Sequence, residues 1–401
     1  MRCKGAGLTW FLEWIVNTPG PLIADVLPNN TVALFELNKT SQLHMNRNEF
    51  LRGSAGIIGG LSIPGIWGAT IRAAETPSAK TIALDDSYLI KGLNALARAH
   101  RMSAMAGHLG ASLLAGYFIG RQRTDLAPEV YKGIEGDLDR VIAGESVFGS
   151  KMKKNSKIMD SELFEDFPKE PPKDSLIDGI AEALEKNIRT PRESGHNVIF
   201  ASIAIHALKE CPDFATPSII DGIRKLVGLF DNSHPGSGYY GKAKGRITGN
   251  KVTLPEVDDG APPYKDVKGM VEAVLDEIVN QDSKVHRQGY GGLVHINNHA
   301  AAITNLAEYG YPELVPAAIA SHYQHLRLWR NLPNVADEFG PQPFSEFSPY
   351  TSAYWISGKA PYDRALLTHR VKTMFGFDEL TEASDDDRMK KRAYDKLRYM
   401  M

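Results

Sequence analysis

Cysteine is nearly absent. Cys3 and Cys211 are the only two in 401 residues, which excludes a disulfide framework and any zinc site built from several thiolates. Charge of one sign is not in excess either. Lys and Arg number 46 against 48 Asp and Glu, a formal net charge of -2, so nothing neutralises a phosphate backbone or holds an anionic membrane surface, and no nucleic-acid partner is expected. No period-two alternation runs long enough for a sheet. No uninterrupted apolar run suits a stable membrane span, and there is no H-E-x-x-H motif and no G-x-G-x-x-G fingerprint after a strand. What remains, 43% hydrophobic and 23% charged residues, is the composition of a globular chain long enough to bury a core.

The stretch "MNRNEFLRGSAGIIGGLSIPGIWGATIRAAE" (Met45 to Glu75) has basic residues at Arg47 and Arg52, a small-residue apolar run from Gly53 to Ala69, and a small-x-small close at Arg72-Ala73-Ala74. This is the layout of a bacterial export signal. It resembles the twin-arginine type, with Asn48 in place of the second arginine. The expected organisation is therefore an upstream extension over 1–44, a signal peptide over 45–74, and a working domain over 75–401, exported to the periplasm or beyond. Removal of residues 1–74 would leave Cys211 alone.

Three segments share one layout: "GHLGASLLAGYFIGRQRTDLAPEVYKGIEGDLDRVI" from Gly107, "GHNVIFASIAIHALKECPDFATPSIIDGIRKLVGLF" from Gly195, and "HINNHAAAITNLAEYGYPELVPAAIASHYQHLRLW" from His295. Each reads as a His-headed apolar helix, a turn holding an acid and a proline, and an amphipathic helix. His108 to Asp125 and His196 to Asp213 are both 17 residues, and His295 to Glu313 is 18, with His299 one helical turn further in. Pro128, Pro217 and Pro316 suit the first turn of the second helix, where proline loses no intrahelical hydrogen bond. Five residues past each proline stand small Gly133, Gly222 and Ser321; thirteen past stand Val141, Phe230 and Trp329. Apolar first helices and one-faced second helices predict stacked hairpins, hence an all-α fold of the α/α toroid or solenoid kind with a long, partly irregular loop insertion. A small β-hairpin is expected around "GRITGNKVTL", and a charged surface helix at the C-terminus.

Equivalent inner-helix ends bring His108, His196, His295 and His299 to one mouth of such a bundle, where imidazole serves acid–base or metal chemistry near neutral pH. His322 and His325 fall on the second helix of their hairpin, which predicts a packing or surface role. Gly289, Gly291 and Gly292 let backbone approach a ligand closely; Asn298 adds an amide donor, and Tyr239, Tyr240 and Tyr290 add phenols. The segment around Trp355 is dense in aromatics, as a sugar cleft or a ring-closing core segment would be. The leading expectation is an exported enzyme acting on a polysaccharide by lyase chemistry. In it His196 or His299 is the base, Tyr240 the acid or second base and Asn298 the neutraliser of the enolate, with His108, His295, Tyr239, Tyr290 and Trp355 binding substrate. A glycoside hydrolase using two carboxylates among Glu256, Asp258, Asp259, Glu338 and Glu346 is the nearest variant. The substrate partner is a glycan or another small molecule. No cofactor is required, and a metal ion is the lesser alternative. A non-catalytic glycan-binding or scaffold repeat is a further class.

The ordered segments Gly107-His108, His196-Asn197-Val198-Ile199-Phe200 and His295 to His299 also resemble the questin oxidase-like proteins, helical enzymes with His-headed helices in the same order. That resemblance implies oxygen-dependent oxidation of a polycyclic aromatic ketone with a reduced nicotinamide cofactor. The "GYGG" before a helix is similar to the repeats of α/α-toroid enzymes.

Overall fold

The computed structural model describes residues 84–145, 158–159, 161–256, 263–356 and 367–401, all within one compact unit. The upstream extension and the signal segment lie outside these residues, as does Cys3. Helices dominate, in the order α1 (Asp86–Ala99), α2 (Gly107–Gln122), α3 (Pro128–Ile142), α4 (Asp178–Glu185), α5 (His196–Glu210), α6 (Pro217–Gly228), α7 (Val267–Val279), α8 (Gly292–Glu308), α9 (Val315–Arg330), α10 (Ala336–Phe339), α11 (Ser352–Ile356), α12 (Leu367–Glu382) and α13 (Asp387–Lys396). None of the described helices is long and apolar enough to cross a membrane.

Four of these helices form the centre. α2 packs on α5, α5 on α8, α8 on α12, and α12 back on α2. Each is buried over most of its length; the apolar sequences of α2, α5 and α8 require it, and α12 is buried despite its charges. α3, α6 and α9 each follow an inner helix and bury one face. Proline opens all three, at Pro128, Pro217 and Pro316, where the missing N–H would have had no helical partner.

The small residues five past each proline mark close approaches. A Cβ on Gly222 would stand 2.2 Å from the carbonyl oxygen of Ala97 on α1, and one on Gly133 would stand 2.3 Å from the Trp355 ring on α11. Ser321 is fully buried, and so are Val141, Phe230 and Trp329 at the later register.

α12 and α13 make a fourth His-headed unit. His369 lies in the first turn of α12, and Asp386, 17 residues on, caps α13 by accepting the Met389 backbone N–H. Asp386 keeps the register of Asp125 and Asp213, with no proline following it, and satisfies an otherwise orphaned helix donor.

The only regular β-structure among the described residues is a ribbon pairing β1 (Ser237–Tyr239) with β2 (Arg246–Thr248). It is a correction to the expected hairpin: "GNK" after β2 is a single 3₁₀ turn, and the partner strand lies upstream.

Candidate functional site: a ring of buried histidines

The first turns of the four inner helices meet, and each contributes one imidazole. His108 stands 4.4 Å from His196 between ring centroids, His196 4.6 Å from His295, His295 5.0 Å from His369, and His369 4.5 Å from His108. Across the ring His108 and His295 are 6.2 Å apart. All four are at most 6% exposed. Sequence spacing anticipated three members; His369 is the fourth.

The loops before α5 and α8 aim the rings. Glu193, Ser194 and Gly195 all have positive φ, and so do Gly289, Tyr290, Gly291 and Gly292. Such runs are costly for side-chain-bearing residues, and here they turn carbonyls inward. The Glu193 carbonyl accepts from His196 Nδ1, and the Ser194 carbonyl accepts from His295 Nδ1 at 3.2 Å. With Nδ1 protonated, both rings present the Nε2 lone pair, the orientation that second-shell carbonyls give to metal-binding histidines. His196 Nε2 is buried without a partner among the described residues, as is His369 Nδ1. His295 Nε2 faces His369 Nε2 at 2.9 Å.

The β-ribbon holds the two strained loops together. Glu193 N–H donates to the His234 carbonyl, Tyr290 N–H to that of Ser237, and Tyr239 N–H to that of Gln288. Gly195 is required twice over: φ is +87°, and a Cβ would stand 2.7 Å from the His299 ring. Gly195→Ala should destabilise the protein by about 2 kcal/mol or more, from the left-handed penalty of roughly 1–2 kcal/mol plus the overlap; urea denaturation measures it.

Lys372, one turn beyond His369, contacts His108 Nδ1 through its amine and is 4% exposed. Burial pushes its pKa well below the ordinary lysine value, and four converging helix N-termini add positive potential that disfavours the ammonium further. The histidines shift the same way: burial first, then their neighbours, push His108, His196 and His369 well below the usual imidazole value and His295 to about 3. The ring is therefore a set of neutral nitrogen donors. Lys372→Met should raise the melting temperature of the metal-free protein. Removing a desolvated amine gains more than the roughly 1–3 kcal/mol lost by leaving His108 Nδ1 unpaired.

A second histidine group adjoins the first. His322 and His325, expected to pack or to lie at the surface, are fully buried because α9 turns them onto α8. His325 Nε2 donates to the Tyr290 carbonyl at 2.8 Å, and its Nδ1 meets His299 Nδ1 at 3.3 Å. His322 Nε2 donates to the Ile296 carbonyl at 3.0 Å, and its Nδ1 accepts from the Tyr264 hydroxyl. His299 Nε2 is left without a partner among the described residues.

The remaining expected site residues are more scattered. Asn298 accepts from Asn297 and lines a cavity of about 20 Å³ with Lys372, Asn305 and Ser202, room for one water. Tyr240 and Tyr290 pair hydroxyl to hydroxyl at 3.3 Å. Tyr239 lies at the surface with its hydroxyl on Glu338. Trp355 packs on Gly133 of α3 and donates to the Pro349 carbonyl, outside the ring.

His108, His196 and His369 each offer a nitrogen within 4.8 Å of the others. Three donors held at the usual 2.0–2.1 Å by one ion stand about 3.4–3.6 Å apart, so the rings close by up to about 1.4 Å when they hold one. Comparison with protein-family models, curated proteins and solved structures finds no match.

Proposed function

We propose that this protein is a metal-dependent oxidative enzyme whose four inner-helix histidines, His108, His196, His295 and His369, hold one redox-active transition ion. The observation that carries the reading is the cluster of buried neutral imidazoles in which His108, His196 and His369 each offer a nitrogen close to the others, with His196 Nε2 and His369 Nδ1 lacking a partner among the described residues. Burying such nitrogens unpaired costs about 1–3 kcal/mol each, which an ion would recover. Imidazole without thiolate or carboxylate suits iron, copper, nickel or zinc. Such an ion supplies electron-transfer and dioxygen chemistry when bound, while the chain excludes water and fixes the His196 and His295 rings through the Glu193 and Ser194 carbonyls. The resemblance of the His-headed segments to questin oxidase-like proteins supports an aromatic ketone as substrate. The cyclic packing order of the inner helices supports a closed α/α toroid over an open solenoid.

A uronic-polysaccharide lyase fits less well. It needs His196 or His299, Tyr240 and Asn298 around one sugar, and here Tyr240 faces Tyr290 while Asn298 faces a cavity the size of one water. A scaffold role gives no reason for inward-facing lone pairs. Metal analysis of the purified chain, followed by oxygen-electrode runs with polycyclic aromatic ketones and ultraviolet scans with uronic polysaccharides, tests the choice. Bound metal with ketone-dependent oxygen uptake is expected; new ultraviolet absorbance from a metal-free protein would favour the lyase.

A further inference from the structure

We propose that Tyr264 and His322 form a redox-active pair serving the histidine ring, in which Tyr264 supplies one electron to an oxidised centre and passes its phenolic proton to His322. The inference rests on the metal reading above and concerns a residue pair outside the ring.

Three observations carry it. The first is the tautomer of His322. Its Nε2–H donates to the Ile296 carbonyl at 3.0 Å, so Nδ1 holds the lone pair that accepts the Tyr264 hydroxyl. The proton acceptor is thus already in hydrogen-bond contact with the phenol. The second is connectivity. Ile296 follows His295 directly, so two peptide units, one hydrogen bond, one imidazole and one further hydrogen bond join the ring to the phenol. The third is the outward side: the Tyr323 ring lies 5.4 Å from that of Tyr264, edge to face, and Tyr323 is half-buried, next to the Arg327 guanidinium. The pair therefore stands between the centre and the surface.

The step balances as follows. The Tyr264 O–H bond breaks and an N–H bond forms at His322 Nδ1; one electron leaves the phenol and reduces the centre by one equivalent, leaving a neutral tyrosyl radical beside an imidazolium. The oxidant that raises the centre beforehand is dioxygen or a peroxide. Burial holds the Tyr264 phenol protonated in the resting state, so its proton leaves only with the electron. Burial equally disfavours the imidazolium on His322, so the proton returns once the radical is reduced.

The full-length chain is loaded with ferrous iron without oxygen, its metal content measured, and the sample treated with hydrogen peroxide and frozen for electron paramagnetic resonance. A neutral tyrosyl signal is expected that narrows with ring-deuterated tyrosine, disappears in Tyr264→Phe, persists at early times in Tyr323→Phe, and shifts in His322→Gln. An unchanged signal in Tyr264→Phe, or no tyrosyl signal from protein shown to hold iron, overturns the relay and leaves the ring reading intact. Failure of the parent chain to hold iron overturns the ring reading and the relay with it. If Tyr264→Phe does not fold, the His322→Gln spectrum decides: a signal identical to the parent's rejects the pair.

Discussion

Brought from about pH 7 to about pH 5 in the presence of a chelator, the protein should lose its helical circular-dichroism signal in one cooperative step. Seven histidines, His108, His196, His295, His299, His322, His325 and His369, are held below the usual imidazole value, burial being the largest cause in each; His295 and His322 fall to about 3 and His325 to about 4. The folded state keeps them neutral, while the unfolded chain takes up protons below its ordinary value of 6.5. The unfolded state then binds more protons, so stability rises with pH. The contribution is complete above 6.5 and is lost as the pH falls from there toward about 4. Each group loses up to about 1.4 kcal/mol per pH unit, against a total stability of roughly 5–15 kcal/mol. Glu379, pushed up to about 8 by burial, and Asp378, pushed up to about 6, act in the opposite sense, as do Asp137, Glu193, Glu277 and Glu308, which burial raises by less. These smaller shifts offset only part of the loss from seven histidines. Retention of the folded signal and of its melting temperature at about pH 4.5 would show that the histidines are not buried as neutral rings.

His369→Ala should abolish tight metal binding without unfolding the chain. Losing a second-shell partner alone typically costs about 10–100-fold in metal affinity, and this change removes a donor. It also removes the 2.9 Å contact to His295 Nε2, leaving a second ring free to turn. The hole is polar and lies at a helix start, and the change relieves one disfavoured buried imidazole, so at neutral pH the melting temperature should move little. Competition titration against a chromophoric chelator, with His325→Ala as the control outside the ring, measures the effect. Equal losses in the two variants would mean that the metal, if bound, is not held by the four inner-helix starts.

Much of this arrangement was legible in the sequence, for a physical reason. A helix buried on every side has an all-round apolar sequence, and a histidine at its head stands out against it; the 17-residue spacing then fixed the hairpin length in two units and nearly so in a third. The same spacing runs from His369 to Asp386, but that unit has no proline. Its inner helix also carries Arg370, Lys372, Asp378 and Glu379, charges that read as a surface face. They are buried because each finds a local partner, as Glu379 does in Gln122 and Asp378 in Arg123, and partners contributed by another helix leave no trace in a local pattern. The group that His322 and His325 join was hidden for a related reason: one-sided polarity marks the outer helix without showing that its polar side chains point into a histidine group. The inward turn of the Glu193 and Ser194 carbonyls was also hidden, since neither residue type advertises positive φ. Aromatic density around Trp355 spoke for packing and for a cleft alike, and composition alone does not separate them.

X-ray absorption at the metal edge of the iron- or copper-loaded protein tests the central claim most directly. The account predicts a first shell dominated by nitrogen at about 2.0–2.2 Å, with the outer-shell scattering of several imidazoles and the loss of one of them in His369→Ala. A shell of oxygen donors, or one with a single imidazole that His369→Ala leaves unchanged, would contradict it.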